Sequence, residues 1–284
     1  MDNKEATLQL GTQPVGKLLL QYALPAIVAM TAASLYNIVD SVFIGQRLGP
    51  LAISGLAITF PFMNLASAFG AAVGIGAATS ISVKLGQKDY ATAENILGNT
   101  ITLNLIIGIA FSIVTLLFLD PILLFFGASH ATLPFARDYM VIILAGNVFS
   151  HMYFGMNAIL RAASKPRLAM FATIFTVLMN TLLDYIFIIL FDWGIAGAAY
   201  ATILAQIIAL VWQMKVFSNP KELLHLKRGI YRLRRDLVKN IISIMCVLPW
   251  WLSSSTCSWC IMATTSMWAH SASPTASLSF LRCS

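Results

Sequence analysis

Residues 168–191 read LAMFATIFTVLMNTLLDYIFIILF, an apolar stretch whose most polar groups are the amide of Asn180 and the carboxylate of Asp184. A run of about 20 apolar residues is long enough to cross a bilayer as a helix. A carboxylate inside such a helix costs at least about 3 kcal/mol in lipid, so it usually faces a cavity and binds a proton or small cation there. The stretch therefore predicts a membrane protein with an ion-binding interior.

The composition of the whole chain places it in the membrane class. Of its 284 residues, 58% are hydrophobic and only 10% are charged, and the mean hydropathy is +0.80. Soluble domains carry about 25% charged residues. The apolar runs predict an all-α integral membrane protein, a single bundle of six transmembrane helices. The predicted spans are Lys17–Ile44, Leu51–Val83, Ala91–Leu119, Leu133–Leu160, Leu168–Phe191 and Ile195–Phe217.

Basic residues occupy alternate connections, and this pattern predicts the orientation. By the positive-inside rule, the N-terminus is cytoplasmic in a multi-pass protein of the bacterial inner membrane. The net charge of +7 then reflects topology rather than a nucleic-acid partner. The stretch after span six is interpreted as a linker, with anionic lipid or nucleic acid as alternatives. The basic residues follow spans two, four and six: Lys84, Lys88, Arg161, Lys165, Arg167 and the stretch Lys215–Lys239.

Four regions are predicted along the chain. Residues 1–16 form a cytoplasmic segment without signal-peptide features, 17–217 the six-helix bundle and 218–239 the basic linker. Residues 240–284 begin as a truncated seventh helix and continue as a tail rich in Ser, Trp and Cys without membrane periodicity. We interpret this tail as out of frame, because a one-base shift permits codons for a membrane helix there. Its isolated C-x-x-C, Cys257 and Cys260, lacks further ligands, so neither a metal nor a redox site is expected.

Two intramembrane carboxylates are the strongest candidates for chemistry. Tyr36 and Asp40 on span one, like Asn180 and Asp184 on span five, are four residues apart and share a helix face. Their oxygen atoms suit Na⁺ or a shared proton. Thr202 on span six and Asn157 on span four add polar oxygen, which predicts one interior site built from four spans.

Other interpretations remain open for several of these residues. Thr202 and Asn157 are also explained by hydrogen bonds that only hold helices together. His151, near the middle of span four, is a further candidate proton carrier, although a buried packing residue is the more common role. The residues contain no H-E-x-x-H, G-x-S-x-G or Walker motif, so no enzyme is expected. Pro25 and Pro61 invite kinks, and the Gly-rich run 70–76 allows close helix approach or local unwinding.

Several motifs together resemble the MATE (multidrug and toxin extrusion) transporters. Their order and spacing cover about residues 16–245. Towards the N-terminus, the matching motifs are Leu24-Pro25 in the first helix and the short polar loop 84–89 after the second helix. The motifs are residues 24–25 (LP), 37–45 (NIVDSVFIG), 48–49 (LG), 84–89 (KLGQKD), 159–166 (ILRAASKP), 179–185 (MNTLLDY) and 194–202 (GIAGAAYAT).

The resemblance implies one six-helix lobe of a two-lobe, twelve-helix antiporter. Such a protein expels small lipophilic cations in exchange for Na⁺ or H⁺ and needs no other cofactor. Its membrane partner is lipid, and two copies of a half-transporter could associate. The resemblance assigns the coupling cation, including Na⁺, to Asp40, Asn180, Asp184 and Thr202, and it assigns bending of the first helix to Pro25. Alternatives are a lipid-linked sugar flippase of related fold and a non-transporting membrane scaffold.

Overall fold

The computed structural model describes residues 15–219, 224–226, 236–239 and 241. Within these residues the chain is helical and contains no β-strand. Residues 236–239 and 241 are also helical. The main helices are α1 (Val15–Leu48), α2 (Pro50–Gly86), α3 (Tyr90–Leu117), α4 (Leu119–Phe125), α5 (Leu133–Ala162), α6 (Pro166–Asp184), which continues as a π-helical turn (Tyr185–Leu190), and α7 (Gly194–Phe217).

Six of these helices are long and apolar enough to cross a membrane, which confirms the predicted number of spans. Their bounds differ from the prediction because backbone hydrogen bonding continues until a capping residue ends it. Helix α1 extends to Leu48, and α3 ends at Leu117, after which the short helix α4 begins. At the start of α3, the backbone N–H of Thr92 donates to the carboxylate of Asp89, which caps the helix.

Short connections make the helices run alternately up and down, so the bundle has two ends. We name them the basic end, where α2, α5 and α7 finish, and the opposite end, where α1 finishes. Helix α5 is central, with its most extensive contacts to α2, α7 and α3, whereas α1 packs mainly along α6. The described charges of the basic end include Lys84, Lys88, Asp89, Glu94, Arg161, Lys165, Arg167 and Lys215.

Glycines allow α2 and α5 to approach closely. A Cβ placed on Gly74 would lie 2.6 Å from the Cα of Gly155, and one on Gly70 would lie 2.7 Å from the Cα of His151. No side chain fits in either position without moving the backbone. The predicted role of the Gly-rich run in close helix approach is therefore confirmed.

Two local features of the helices matter for the interior. Helices α1 and α2 continue without interruption through Pro25 and Pro61, although each proline removes one backbone donor. On α6, the α-helix ends at Asp184 and a π-helical turn follows, in which the N–H of Phe191 donates to the carbonyl of Ile186 at 3.0 Å. Such π-helical turns often mark functional sites in helices. The sequence did not predict this one.

Two apolar clusters of buried residues fill the bundle. The cluster near the basic end includes Leu97, Ile159 and Leu160, and that near the opposite end includes Leu56 and Leu144. Buried apolar surface of this kind stabilises each half by packing. The candidate functional site lies beside the second cluster, to which Tyr139 belongs.

Candidate functional site

The predicted carboxylates come together at the interface of α1 and α6. Asp40 is 3% exposed and Asp184 is fully buried, and their side chains are close enough to interact. We call them the carboxylate pair. Neither oxygen of Asp184 accepts a hydrogen bond from the residues that the structure describes. Two carboxylates can bond directly only when one of them carries a proton, because an ionised carboxylate accepts and cannot donate.

The carboxylate pair is therefore a place where a positive charge is needed. Two negative charges at contact distance repel strongly in a low-dielectric interior. A single proton shared between Asp40 and Asp184 would replace that repulsion with an O–H···O hydrogen bond. A small cation between the carboxylates would have a similar effect. Either occupant would stabilise the contact between α1 and α6.

Asn180 and Thr202 extend the site towards α7. The amide nitrogen of Asn180 donates to the hydroxyl oxygen of Thr202 at 3.4 Å, and that hydroxyl donates to the carbonyl of Ala198 at 3.0 Å. The side-chain oxygen of Asn180 is buried and makes no hydrogen bond within the described part of the chain. It lies one helical turn from Asp184 on the same face of α6. Oxygen ligands of these types suit a hard monovalent cation.

Tyr139 is a site residue that the sequence reasoning missed. Its ring is 1% exposed, its hydroxyl reaches Thr202, and both members of the carboxylate pair lie within electrostatic range. A tyrosine near the start of an apolar helix resembles an interfacial anchor in the sequence. Only the packing of α5 against α6 and α7 identifies its position.

The structure does not bring every predicted residue to this site. Asn157 lies level with Thr173 of α6, eleven residues from Asp184, or about 16 Å along a helix. The prediction of one site from four spans is thus wrong for Asn157, because α5 presents it near the basic end. The side chain of Tyr36 lies outside the described residues. Pro25 is buried on α1, about 22 Å from Asp40 by helical rise.

A cavity of about 310 Å³ adjoins the carboxylate site. Asn180 and Thr202 form part of its wall, so both residues belong to the cation site and to the cavity. Asn64 of α2 is a lining residue that is also exposed. Its lining combines apolar side chains such as Phe60 and Met63 with amides and hydroxyls, a combination typical of small-molecule sites.

His151 occupies a different interface. It is fully buried between α2, α3 and α5, and its ring centre lies 6.0 Å from that of Phe111. It is absent from the cavity lining and from the carboxylate site. The role of His151 as a proton carrier remains a prediction.

Among the described residues, no cluster of three His, Cys, Asp or Glu side chains could hold a metal ion. A Na⁺ site at the carboxylate pair would therefore depend on amide and hydroxyl oxygens in addition to Asp40 and Asp184. The cysteine pair Cys257 and Cys260 lies outside the described residues.

Six helices long enough to span a membrane, and a cavity that shares Asn180 and Thr202 with the carboxylate site, define a multi-pass membrane protein with an interior binding site. A family model, MatE, matches residues 25–186, more than half of the chain. The chain belongs to the MATE family of transporters. Members of this family are transporters and not enzymes.

Individual relatives agree with this assignment. The multidrug export protein MepA of Staphylococcus aureus (strain MSSA476) is 26% identical over 231 residues, which cover 81% of this chain and 51% of MepA. MepA of Staphylococcus haemolyticus (strain JCSC1435) is 30% identical over 208 residues, 73% of this chain and 46% of that protein. The chain thus spans about half the length of these curated relatives.

A solved structure confirms the fold. The outward-facing conformation of a multidrug resistance MATE family transporter of the MOP superfamily superposes with a TM-score of 0.76 and 26% sequence identity. The match covers 82% of this chain and 52% of that one, consistent with one six-helix lobe.

Proposed function

We propose that this chain is one lobe of an antiporter that exports lipophilic cations in exchange for H⁺ or Na⁺. The observation that carries the proposal is the shared position of Asn180 and Thr202. They belong to the wall of the cavity, and they also extend the site of the carboxylate pair. A cation bound at the pair and a compound in the cavity would compete for the same amide and hydroxyl.

The coupling ion acts by changing the contact between α1 and α6. With the carboxylate pair unoccupied, repulsion between Asp40 and Asp184 disfavours their contact, and a cationic compound in the cavity is attracted by the negative charge. With H⁺ or Na⁺ bound, the attraction is lost and the α1–α6 contact tightens. Helix α1 would bend near Pro25, where one backbone hydrogen bond is absent, and the cavity would release its compound.

The distribution of charge supports an orientation with the basic end in the cytoplasm, in the inner membrane of a bacterium. The basic end carries Lys84, Arg161 and Lys215, whereas the opposite end carries two exposed ion pairs. These pairs are Arg47 with Asp192 and Arg137 with Asp120, each 3.4 Å apart. Positive charge is retained on the cytoplasmic side of membrane proteins.

A complete transporter of this family requires a second lobe to close the cleft. The chain spans about half of its curated relatives, so a second copy or another lobe would supply the remaining helices. We propose self-association as one source of that lobe, with lipid covering the remaining apolar surface. The interior site of the lobe would function in either arrangement.

The experiment is efflux of ethidium, a lipophilic cation, from cells that lack their own export pumps. Cells produce the wild-type chain, Asp184→Asn or Asp120→Asn, with equal amounts of protein in the membrane. Asp120 is the matched control because it is an acid of the opposite end outside the cavity. We expect efflux from the wild type and Asp120→Asn and none from Asp184→Asn. Equal efflux from all three would refute the role of the carboxylate pair.

A further inference from the structure

Helices α5 and α6 are joined by hydrogen bonds between the cavity and the basic end. The amide nitrogen of Asn157 donates to the carbonyl of Ala169 at 3.2 Å and to the hydroxyl of Thr173 at 3.4 Å. One turn nearer the cavity, the hydroxyls of Tyr153 and Thr176 are 3.2 Å apart. Thr173, Tyr153 and Thr176 also line the cavity. These contacts therefore close the cavity on the side of the basic end.

Arg161 lies directly beyond this closure. It follows Asn157 by four residues on the same face of α5, and its guanidinium donates to the side-chain oxygen of Asn157 at 2.6 Å. The residue itself is exposed at the end of the bundle. The charge of Arg161 thus lies beside Asn157, where a path from the cavity to the basic end would emerge.

Helix α7 also packs against α5 beside the cavity. Ser150 of α5 donates to Gln206 of α7, and these residues are 56 positions apart in the chain. Helices α5 and α7 run in the same direction, so from this bond we infer that Gln213, seven residues further along α7, lies near the level of Asn157, seven residues further along α5. Gln213 is fully buried, and within the described residues neither atom of its amide makes a hydrogen bond. A buried amide without a bond is costly, which favours a second arrangement of this level in which Gln213 is bonded.

We propose that Asn157, Thr173 and Gln213, which we call the floor layer, form a gate for the cavity, and that Arg161 is its charge barrier. In the closed state, Arg161 holds Asn157 against α6, and its charge opposes cations that would leak between the cavity and the basic end. In the open state, Arg161 releases Asn157 and the amide of Gln213 takes up a new bond. The gate rests on the proposed function, in which the cavity holds a lipophilic cation.

The positive-inside rule accounts for a basic residue at this end of the bundle. It does not account for the hydrogen bond from the guanidinium of Arg161 to Asn157. An arginine at this position offers both a charge and a fixed fork of donors. The substitutions Arg161→Lys and Arg161→Gln separate the two uses. Lysine keeps the charge, whereas glutamine keeps a donor and removes the charge.

The test is proton leak through the purified chain in liposomes, with a pH-sensitive dye inside and a potassium diffusion potential as the driving force. We expect Arg161→Gln to raise the initial flux on the order of tenfold, the effect of one unit charge about 12 Å from the ion at an effective dielectric of about 20. Arg161→Lys should leak like the wild type. Arg137→Gln is the matched control, because it removes a charge from the same helix at the opposite end.

Equal flux from Arg161→Gln and the wild type would overturn the gate, provided that both elute as the same species and unfold at the same temperature. Leak from Arg161→Lys or Arg137→Gln equal to that of Arg161→Gln would overturn the charge barrier. A parallel measurement of ethidium displacement by Na⁺ or acid separates this result from the proposed function. If the leak assay contradicts the gate but Asp184→Asn abolishes ethidium displacement, the gate is refuted and the antiporter proposal is supported. If the leak assay supports the gate but Asp184→Asn does not change displacement, only the role of the carboxylate pair in coupling is refuted.

Discussion

Polar side chains are buried in two regions of the same bundle, near its opposite end and near its basic end. At the opposite end, Asp40 and Asp184 face each other, and the oxygens of Asp184 accept no hydrogen bond from a described residue. Near the basic end, the side-chain nitrogen of Asn157 donates to the carbonyl of Ala169 on α6, and its side-chain oxygen accepts from Arg161. The first region has oxygen atoms available for a cation. In the second, Asn157 joins two helices, whereas the buried amide of Gln213 makes no hydrogen bond within the described residues.

This difference indicates which buried polar residues bind ligands. A polar residue whose atoms are satisfied by neighbouring helices contributes to stability. A buried residue whose acceptor atoms lack a hydrogen bond is a candidate binding group, because burying an acceptor without a partner costs free energy. Substitutions in the two regions should therefore affect different measurements: ligand binding for the carboxylate pair, and stability or leak for the floor layer.

The largest expected effect is that of Asp184→Asn on cation-driven displacement of ethidium from the purified chain. Removing one of two charges at about 4 Å changes the interaction with a cation by about 4 kcal/mol at an effective dielectric of about 20. Displacement by Na⁺ or acid should fall by more than about a hundredfold, and Asp40→Asn should behave in the same way. Displacement curves measured by ethidium fluorescence would contradict this if Asp184→Asn matched the wild type. Asp120→Asn is the control.

A smaller effect is expected for Thr202→Val, which removes a hydroxyl from both the cavity wall and the cation site at nearly constant volume. One lost hydrogen bond of about 1 kcal/mol weakens binding roughly fivefold. Both ethidium and Na⁺ should bind less tightly, because Thr202 contacts Asn180 and lines the cavity. Equilibrium titrations measure both affinities. Thr181→Val is the matched control, since the hydroxyl of Thr181 donates to the carbonyl of Val177 on its own helix and does not line the cavity.

Much of this fold was predictable from the sequence. Apolar length gave six spans, since a bilayer requires about 20 residues per helix. The i, i+4 spacing of Asn180 and Asp184 placed both on one face of α6, and their cost in lipid predicted an interior position. The close approach at Gly74 followed from the absence of a side chain. These properties are local, so the sequence alone contains them.

The remaining features depend on how helices pack against one another. Tyr139 becomes a site residue only because α5 presents it to α1 and α7, and Asn157 is separated from the pair because its register on α5 is near the basic end. The cavity between α1, α2, α5, α6 and α7 is likewise a property of the assembly. The π-helical turn after Asp184 has no signal in residues 185–190, which are apolar like the rest of the span.

Asn157→Ala should reduce stability more than binding. The substitution removes bonds to Ala169, Thr173 and Arg161, so we expect a loss of about 1–3 kcal/mol in the free energy of unfolding. Thermal unfolding of the purified chain measures this loss, and ethidium affinity should change less than about twofold. Asn95→Ala is the control, because the side-chain nitrogen of Asn95 donates to the carbonyl of Ala91 on its own helix. A large loss of ethidium affinity with unchanged stability would place Asn157 in the binding region instead.

The smallest effect is expected at the opposite end, for Arg47→Gln. Arg47 and Asp192 join the end of α1 to the turn before α7, with side chains 52% and 70% exposed. An exposed pair of this kind contributes at most about 0.5 kcal/mol, and salt screens it further. A double-mutant cycle with Asp192→Asn, followed by tryptophan fluorescence during heating, isolates the coupling energy.

A coupling energy above about 1 kcal/mol in that cycle would exceed the usual value for exposed pairs. It would show that the end of α1 is held by its ion pair as well as by the carboxylate pair. Bending of α1 would then have to break both contacts, and Arg47→Gln should ease cation-driven displacement of ethidium. If the coupling is small, the contact between Asp40 and Asp184 remains the main link between ion binding and the position of α1.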